Sequence, residues 1–155
     1  SIRANHFAVN PFGDATFTHI WSQATIYHVP DKESVLKEAY RVLKDGGIMV
    51  FDDLVKPKPE ISDHARKFVY DRLLYDTPFS FDSYQDALKA QGFKILEAHD
   101  LSAHLKNSYL LLAGRVPKDS TEHAEHYAEL ADSYIQTAKA VDNQELGWGF
   151  YICQK

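Results

Sequence analysis

The stretch Phe17-Thr-His-Ile-Trp21-Ser-Gln-Ala-Thr-Ile-Tyr27-His-Val-Pro-Asp-Lys32, continued by Val35-Leu36-Lys-Glu-Ala39-Tyr-Arg-Val-Leu43-Lys-Asp-Gly46-Gly-Ile-Met-Val-Phe51-Asp-Asp53, reads as strand, loop, amphipathic helix, glycine stop and strand. Residues 16 to 22 are rich in β-branched and aromatic side chains (Thr16, Phe17, Thr18, Ile20, Trp21), which suit a pleated, mostly buried strand. Pro30-Asp31 opens a helix on which Val35, Leu36, Ala39, Tyr40, Val42 and Leu43 recur at helical spacing, with Gly46 as the expected left-handed stop. Ile48 to Phe51 is continuously apolar, as a strand covered on both faces by helices should be. Two such strands joined by one helix form a right-handed crossover with the strands parallel, so the fold class is α/β.

Upstream, Ser1 to Asp14 is irregular and ends in the turn-rich run Asn10-Pro11-Phe12-Gly13-Asp14. Downstream, Val55-Lys-Pro-Lys-Pro-Glu60 is a loop, because two prolines cannot donate to a ladder. The pattern predicts helices over about 62–75 and 81–91, the second stopped by Gly92, then a strand over 93–99 and a helix over 104–114. After a break at Pro117-Lys-Asp-Ser120, a long helix over 121–141 should pack through Ala124, Tyr127, Ala128, Ala131, Tyr134, Ile135 and Ala138. A last strand over 147–153 closes the chain. No internal repeat or linker divides residues 1–155, which are expected to form a single domain.

The chain has 155 residues, 45% of them hydrophobic and 25% charged, enough for one core. A net charge of -5 without a Lys/Arg block excludes the footprint that nucleic acid or an anionic membrane requires. The single Cys153 cannot form an internal disulfide, and no apolar run approaches the ~20 residues of a membrane span, so the cytoplasm is the expected compartment. Ser1 is not an initiator Met, which leaves a tag scar, a processed end or a truncation open.

Several pieces at fixed spacing carry a resemblance: Phe7-Ala-Val-Asn-Pro11-Phe-Gly-Asp14, Trp21-Ser-Gln-Ala24, Tyr27-His-Val-Pro-Asp31, Arg41-Val-Leu-Lys-Asp-Gly46-Gly47, Asp52 after its strand, and Leu146-Gly-Trp-Gly149. Together they resemble the C-terminal part of class I S-adenosylmethionine-dependent methyltransferases, in particular the small-molecule N-methyltransferases acting on sarcosine and dimethylglycine. The resemblance implies a partial Rossmann-like sheet made of the family's fourth to seventh strands with flanking helices. It implies S-adenosylmethionine as cofactor and a small-molecule substrate, an amine. The family's first strand with its glycine-rich loop, the acidic ribose ligand of its second strand, and its third strand have no counterpart in these residues. Gly46-Gly47 cannot substitute, since they end a helix and enter a strand, whereas a cofactor cradle follows a strand and opens a helix.

By resemblance, Gln23 and Ala24 border the methionine part of the cofactor, His6 stands beside the adenine where the family commonly has an acidic or small polar residue, and His28 faces the pocket mouth as the catalytic group. Asp52 or Asp53 could hold a substrate ammonium, the alternative being an ordinary cap at a strand end. Aromatic faces attract alkylammonium groups, which makes Trp21, Tyr27, Tyr70, Tyr75, Phe79 and Trp148 candidates, with core filling as the bland alternative for each. The segment 56–91 is expected to form the lid and to choose the substrate. His123-x-x-His126 with Glu122, Glu125 and Glu129 has metal-like spacing, but reads as a solvated helix face; no metal is expected. Cys153 reads as a buried apolar residue.

Two functions of different class remain open. One is methylation of a small molecule by a larger or assembled enzyme, this chain alone being inactive; the other is a noncatalytic binding or assembly module on a half Rossmann scaffold. In either case the strand at residues 16–22 is expected to lie at a sheet edge, inviting a homodimer or a missing N-terminal half as partner.

Overall fold

The computed structural model describes residues 11–117 and 124–155. His6, the rest of 1–10, and Glu122 and His123 lie outside the described residues. Four strands form one sheet: β1 (Phe17–Gln23), β2 (Leu43–Val55), β3 (Lys94–Asp100) and β4 (Gly147–Gln154), in the order β1-β2-β4-β3. β1 and β2 are parallel, with His19 opposite Ile48 and Gln23 opposite Asp52, joined by the crossover helix α1 (Lys32–Val42). β4 inserts between β2 and β3 and is antiparallel to both. This is the parallel pairing the opening stretch requires. Among the described residues, no helix is long and apolar enough to cross a membrane.

Two cores flank the sheet. Met49, Phe51 and Val55 alternate along one face of β2 and meet Val35, Leu36 and Ala39 of α1, with Tyr84 and Leu88 of α4 (Phe81–Ala90) and Tyr151 of β4. Leu54 faces the other way, into a cluster with Ala65, Val69, Tyr70, Tyr75, Leu105 and Leu146. Burying each such aromatic or branched side chain contributes roughly 1.5–3 kcal/mol, enough to fix which face each strand presents.

The structure corrects four boundaries. α1 ends at Val42, not at the glycine: Leu43 is already extended (φ -75, ψ 140) and fully buried. Gly46 (φ +75) instead turns an excursion at which the β1–β2 register jumps from Phe17–Leu43 to His19–Ile48. Lys155 makes that possible by satisfying the freed main chain, its ammonium donating to Leu43 O (2.8 Å), its carbonyl accepting from Gly46 N and its own N–H donating to Gly47 O. Secondly, β2 runs on to Val55, so Asp52 and Asp53 lie inside the strand, opposite Phe150 and Gly149. Thirdly, the expected helix over 62–75 is α2 (Asp63–Ala65), a π turn (Arg66–Tyr70) and α3 (Asp71–Leu73), closed by left-handed Leu74 (φ 50). Such π turns recur at functional sites. Fourthly, the apolar stripe of α6 (Ala124–Asp142) is only partly used. Ala124, Ala128 and Ile135 are exposed, while Thr137, Ala138 and Ala140 are buried. α6 pairs with α5 (Ser102–Arg115), Tyr109 meeting Tyr134 at 5.8 Å, and reaches the rest of the fold through its later turns, where Thr137 accepts from Arg72.

Candidate functional site

The site grows from the carboxyl ends of the two parallel strands, where an α/β sheet presents its ligand-contacting loops. After β1 the chain turns at Ala24, whose φ of 44 is unusual for a residue carrying a Cβ. Its N–H is held twice by one residue of β2, by Asp52 O at 3.1 Å and Asp52 Oδ1 at 3.0 Å. The same carboxylate oxygen accepts from Trp148 Nε1 at 3.0 Å. The sequence-adjacent pair Asp52 and Asp53 does not form a dyad, because successive strand side chains point to opposite faces. Asp53 lies on the face of Met49, Phe51 and Val55, is fully withdrawn from water, and accepts from Tyr27 N (2.8 Å) and the Tyr84 hydroxyl (3.1 Å). Burial pushes its carboxyl up to about 7; the bonds from Tyr27 and Tyr84 and the charge of Lys32 pull the other way.

A single 3-10 turn, Ile26–His28, follows Ala24 and Thr25. It buries Ile26 and leaves Tyr27 half-buried and His28 exposed, with the two rings 4.0 Å apart. Tyr27 meets Tyr75 edge-on at 5.7 Å, and Tyr75 stacks on Tyr70 at 4.6 Å. The Tyr75 hydroxyl is buried beside that of Tyr70, and burial raises its pKa far above the ordinary tyrosine value. Tyr27 and Trp148 pack against the cluster that contains Tyr75 and Leu54. Of the sequence-predicted residues, then, the structure brings Ala24, Asp52 and Trp148 into one hydrogen-bonded group, and Tyr27, His28, Tyr75 and Asp53 around the neighbouring turn.

Trp21 and Gln23 stand apart from the tyrosines. They line an open groove of about 300 Å³ between β1 and α1, floored by Phe17, Ile20, Ile26 and Met49. Trp21 is 69% exposed, which for an indole on an edge strand is a large apolar surface left uncovered. Phe79 is core, packed on Tyr84 at 4.7 Å. The residue that pattern reading missed is Lys32, only 2% exposed. Its signal was present: Lys32, Val35, Leu36 and Ala39 follow i, i+3, i+4, i+7 spacing, which puts a lysine on the buried stripe.

A family model described as a methyltransferase domain matches residues 1–51. The sarcosine/dimethylglycine N-methyltransferase of Halorhodospira halochloris is 29% identical over 154 residues, covering 94% of this chain and 53% of that protein. The glycine/sarcosine/dimethylglycine N-methyltransferase of Actinopolyspora halophila is 30% identical over 148 residues, covering 90% of this chain and 25% of the relative. Among solved structures, a putative sarcosine dimethylglycine methyltransferase from Galdieria sulphuraria superposes with a TM-score of 0.79 at 26% identity, over 97% of this chain and 57% of the other. The phosphoethanolamine N-methyltransferase 2 of Haemonchus contortus, solved with S-adenosyl-L-methionine, gives 0.80 at 19% identity, over 93% and 34%. The chain spans about half or less of the length of these relatives. The strand order, the strand-end loops and these matches define the class that the chain is similar to: its fold is the Rossmann-like one of the class I S-adenosylmethionine-dependent methyltransferases, and its sequence resembles theirs. Within that class its likeness includes small-molecule N-methyltransferases, and S-adenosylmethionine is the cofactor of the class.

Proposed function

We propose that this chain supplies the acceptor side of an S-adenosylmethionine-dependent methyltransferase that methylates a small amine. Residues 1–155 act in it as one domain, the C-terminal half of the fold, within a larger or assembled enzyme, and are inactive alone. The observation that carries this reading is the group formed by Ala24, Asp52 and Trp148 beside the Tyr27–Tyr75 pair, at the carboxyl ends of two parallel strands. The names of the similar N-methyltransferases support an amine.

The cofactor supplies an electrophilic methyl group on a sulfonium. Gln23 and the Ala24 turn would border its methionine part, the small Ala24 side chain leaving room for close approach. The faces of Tyr27, Tyr75 and Trp148 hold the alkylammonium end of the substrate by cation–π attraction, worth roughly 0.5–2 kcal/mol each. Trp21 stands apart from these rings, in the groove between β1 and α1, and is left to the partner. Asp52, the less buried of the two carboxylates, places negative charge beside the amine, and Asp53 organises the wall behind it. His28 would take the proton that a secondary or primary amine must lose, leaving the nitrogen lone pair free for methyl transfer.

The partner is either a second copy or an N-terminal half bearing the glycine-rich loop, and it pairs with the β1 edge and covers Trp21. That same edge is the observation favouring the second reading, a noncatalytic assembly module. The lone buried Cys153, whose thiol burial pushes up to about 12, agrees with a reducing compartment, the cytoplasm. Titrating the chain with tetramethylammonium while following tryptophan fluorescence separates the readings. Saturable quenching lost in Tyr27→Ala supports the amine site, and no response at any concentration leaves only the assembly module.

A further inference from the structure

Lys32 is, among the described residues, the lysine fully withdrawn from water, and a buried ammonium is costly unless its donors are matched. Its three acceptors are all main-chain carbonyls: Tyr27 O at 3.3 Å, Val29 O at 2.9 Å and Asp76 O at 2.8 Å. On the other side of the same turn, Asp53 Oδ1 accepts the Tyr27 N–H at 2.8 Å, and Oδ2 is fixed by the Tyr84 hydroxyl. The N–H and the carbonyl of Tyr27 are thus held by a buried carboxyl and a buried ammonium group.

The turn needs that support. It has three residues, and Thr25 supplies no side-chain cap. The third bond from Lys32 goes to the residue following Tyr75, so one ammonium fixes both the segment carrying Tyr27 and the segment carrying its ring partner. A well-packed apolar pair could replace such charges at little cost in stability, but it would leave the Tyr27 N–H and three carbonyls without their partners. Their retention is explained by placement.

We propose that Lys32 and Asp53 are positioning residues that clamp the Tyr27 main chain and tie it to the Asp76 segment, so that the Tyr27 and Tyr75 rings and His28 stand at fixed places on the substrate side. The proposal rests on the reading of that wall as the amine-binding side. Asp53 faces Lys32 from α1, Tyr27 from the turn, Tyr75 from the loop after α3, Tyr84 from α4 and Tyr151 from β4. Lys32 faces Asp53 and Asp76.

Nuclear magnetic resonance of the full chain tests the clamp without any ligand. In Lys32→Met the contacts between the Tyr27 and Tyr75 rings disappear and exchange of the Tyr27 and Val29 amides speeds up by about tenfold, while the Ala24 amide, held by Asp52, is unchanged. Ring contacts and exchange rates equal to those of the parent chain would overturn the proposal. If Lys32→Met does not fold, the parent chain decides: its Tyr27 amide resonance should titrate with Asp53 and stop titrating in Asp53→Asn. A Tyr27 amide that does not respond to pH refutes the clamp. Tetramethylammonium binding is then compared in parent and variant, where the clamp predicts a weakened amine site. Absence of binding in the parent counts against the amine site alone, since the ring contacts and amide shifts still decide the clamp.

Discussion

Trp148 Nε1 donates to Asp52 Oδ1 at 3.0 Å, the same oxygen that receives the Ala24 N–H at 3.0 Å. An indole on β4 therefore steadies the carboxylate that holds a left-handed turn after β1. Trp148→Phe keeps an aromatic ring but removes the donor and part of the indole's packing. It should lower stability by about 1–2 kcal/mol and speed exchange at the Ala24 amide. Urea unfolding and amide exchange check both, and an unaffected Ala24 amide would show that the turn holds itself.

Asp53 gives a pH dependence with a definite sign. Its folded pKa is raised, to about 7 from 3.8, so between those values the folded chain binds a proton that the unfolded chain has released. Stability from this group is therefore greatest at the acid end of that window and falls as pH rises through it, by at most roughly 4 kcal/mol. Asp53→Asn should flatten the slope between about pH 4 and 7, other carboxylates keeping their own contributions. Unfolding free energies at a series of pH values measure this, and an identical slope in the variant would contradict the burial argument.

Gly149 is required by close approach. A Cβ there would lie 2.3 Å from the Tyr151 hydroxyl, and Tyr151 is fully buried, stacked on Phe51 at 5.0 Å and bonded to Phe81 O. Gly149→Ala should cost about 1–3 kcal/mol by overpacking. Combining it with Tyr151→Ala, which removes the hydroxyl together with the ring carbons 2.6 and 2.7 Å from that Cβ, should give a combined loss smaller than the sum of the two in a double-mutant cycle; strict additivity would place the strain elsewhere.

Most of the scaffold was legible because hydrophobic periodicity reports burial. The apolar run Ile48–Phe51, the α1 stripe and the glycine-flanked last strand all gave elements of the right type. Boundaries failed where long-range bonds overrule local preference. Gly46 looks like a helix stop, but Lys155 supplies the partners that let Leu43 leave the helix three residues earlier. The stripe of α6 overstated its burial because only the later turns of that helix reach the rest of the fold, so Ala124, Ala128 and Ile135 stay exposed although they recur at helical spacing. At the site, the resemblance pointed to Ala24 and residue types to Tyr27, Asp52 and Trp148, yet neither could say that the two aspartates face opposite ways. That follows from β2 extending through them to Val55. Lys32 was hidden because a lysine is usually read as solvent-facing, although its position on the stripe marked it.

We propose that the Gln23–Ala24 turn, on its Asp52–Trp148 support, is the border at which the acceptor side of the half-site meets the methyl donor. Titration of the isotope-labelled chain with S-adenosylhomocysteine, followed residue by residue, tests it most directly. The account predicts weak binding, with a Kd on the order of 1 mM or about -4 kcal/mol, and shifts concentrated at Gln23, Ala24, Thr25, His28 and the Trp148 indole. Shifts confined to the α5–α6 hairpin, or none at these residues at saturating ligand, would contradict it.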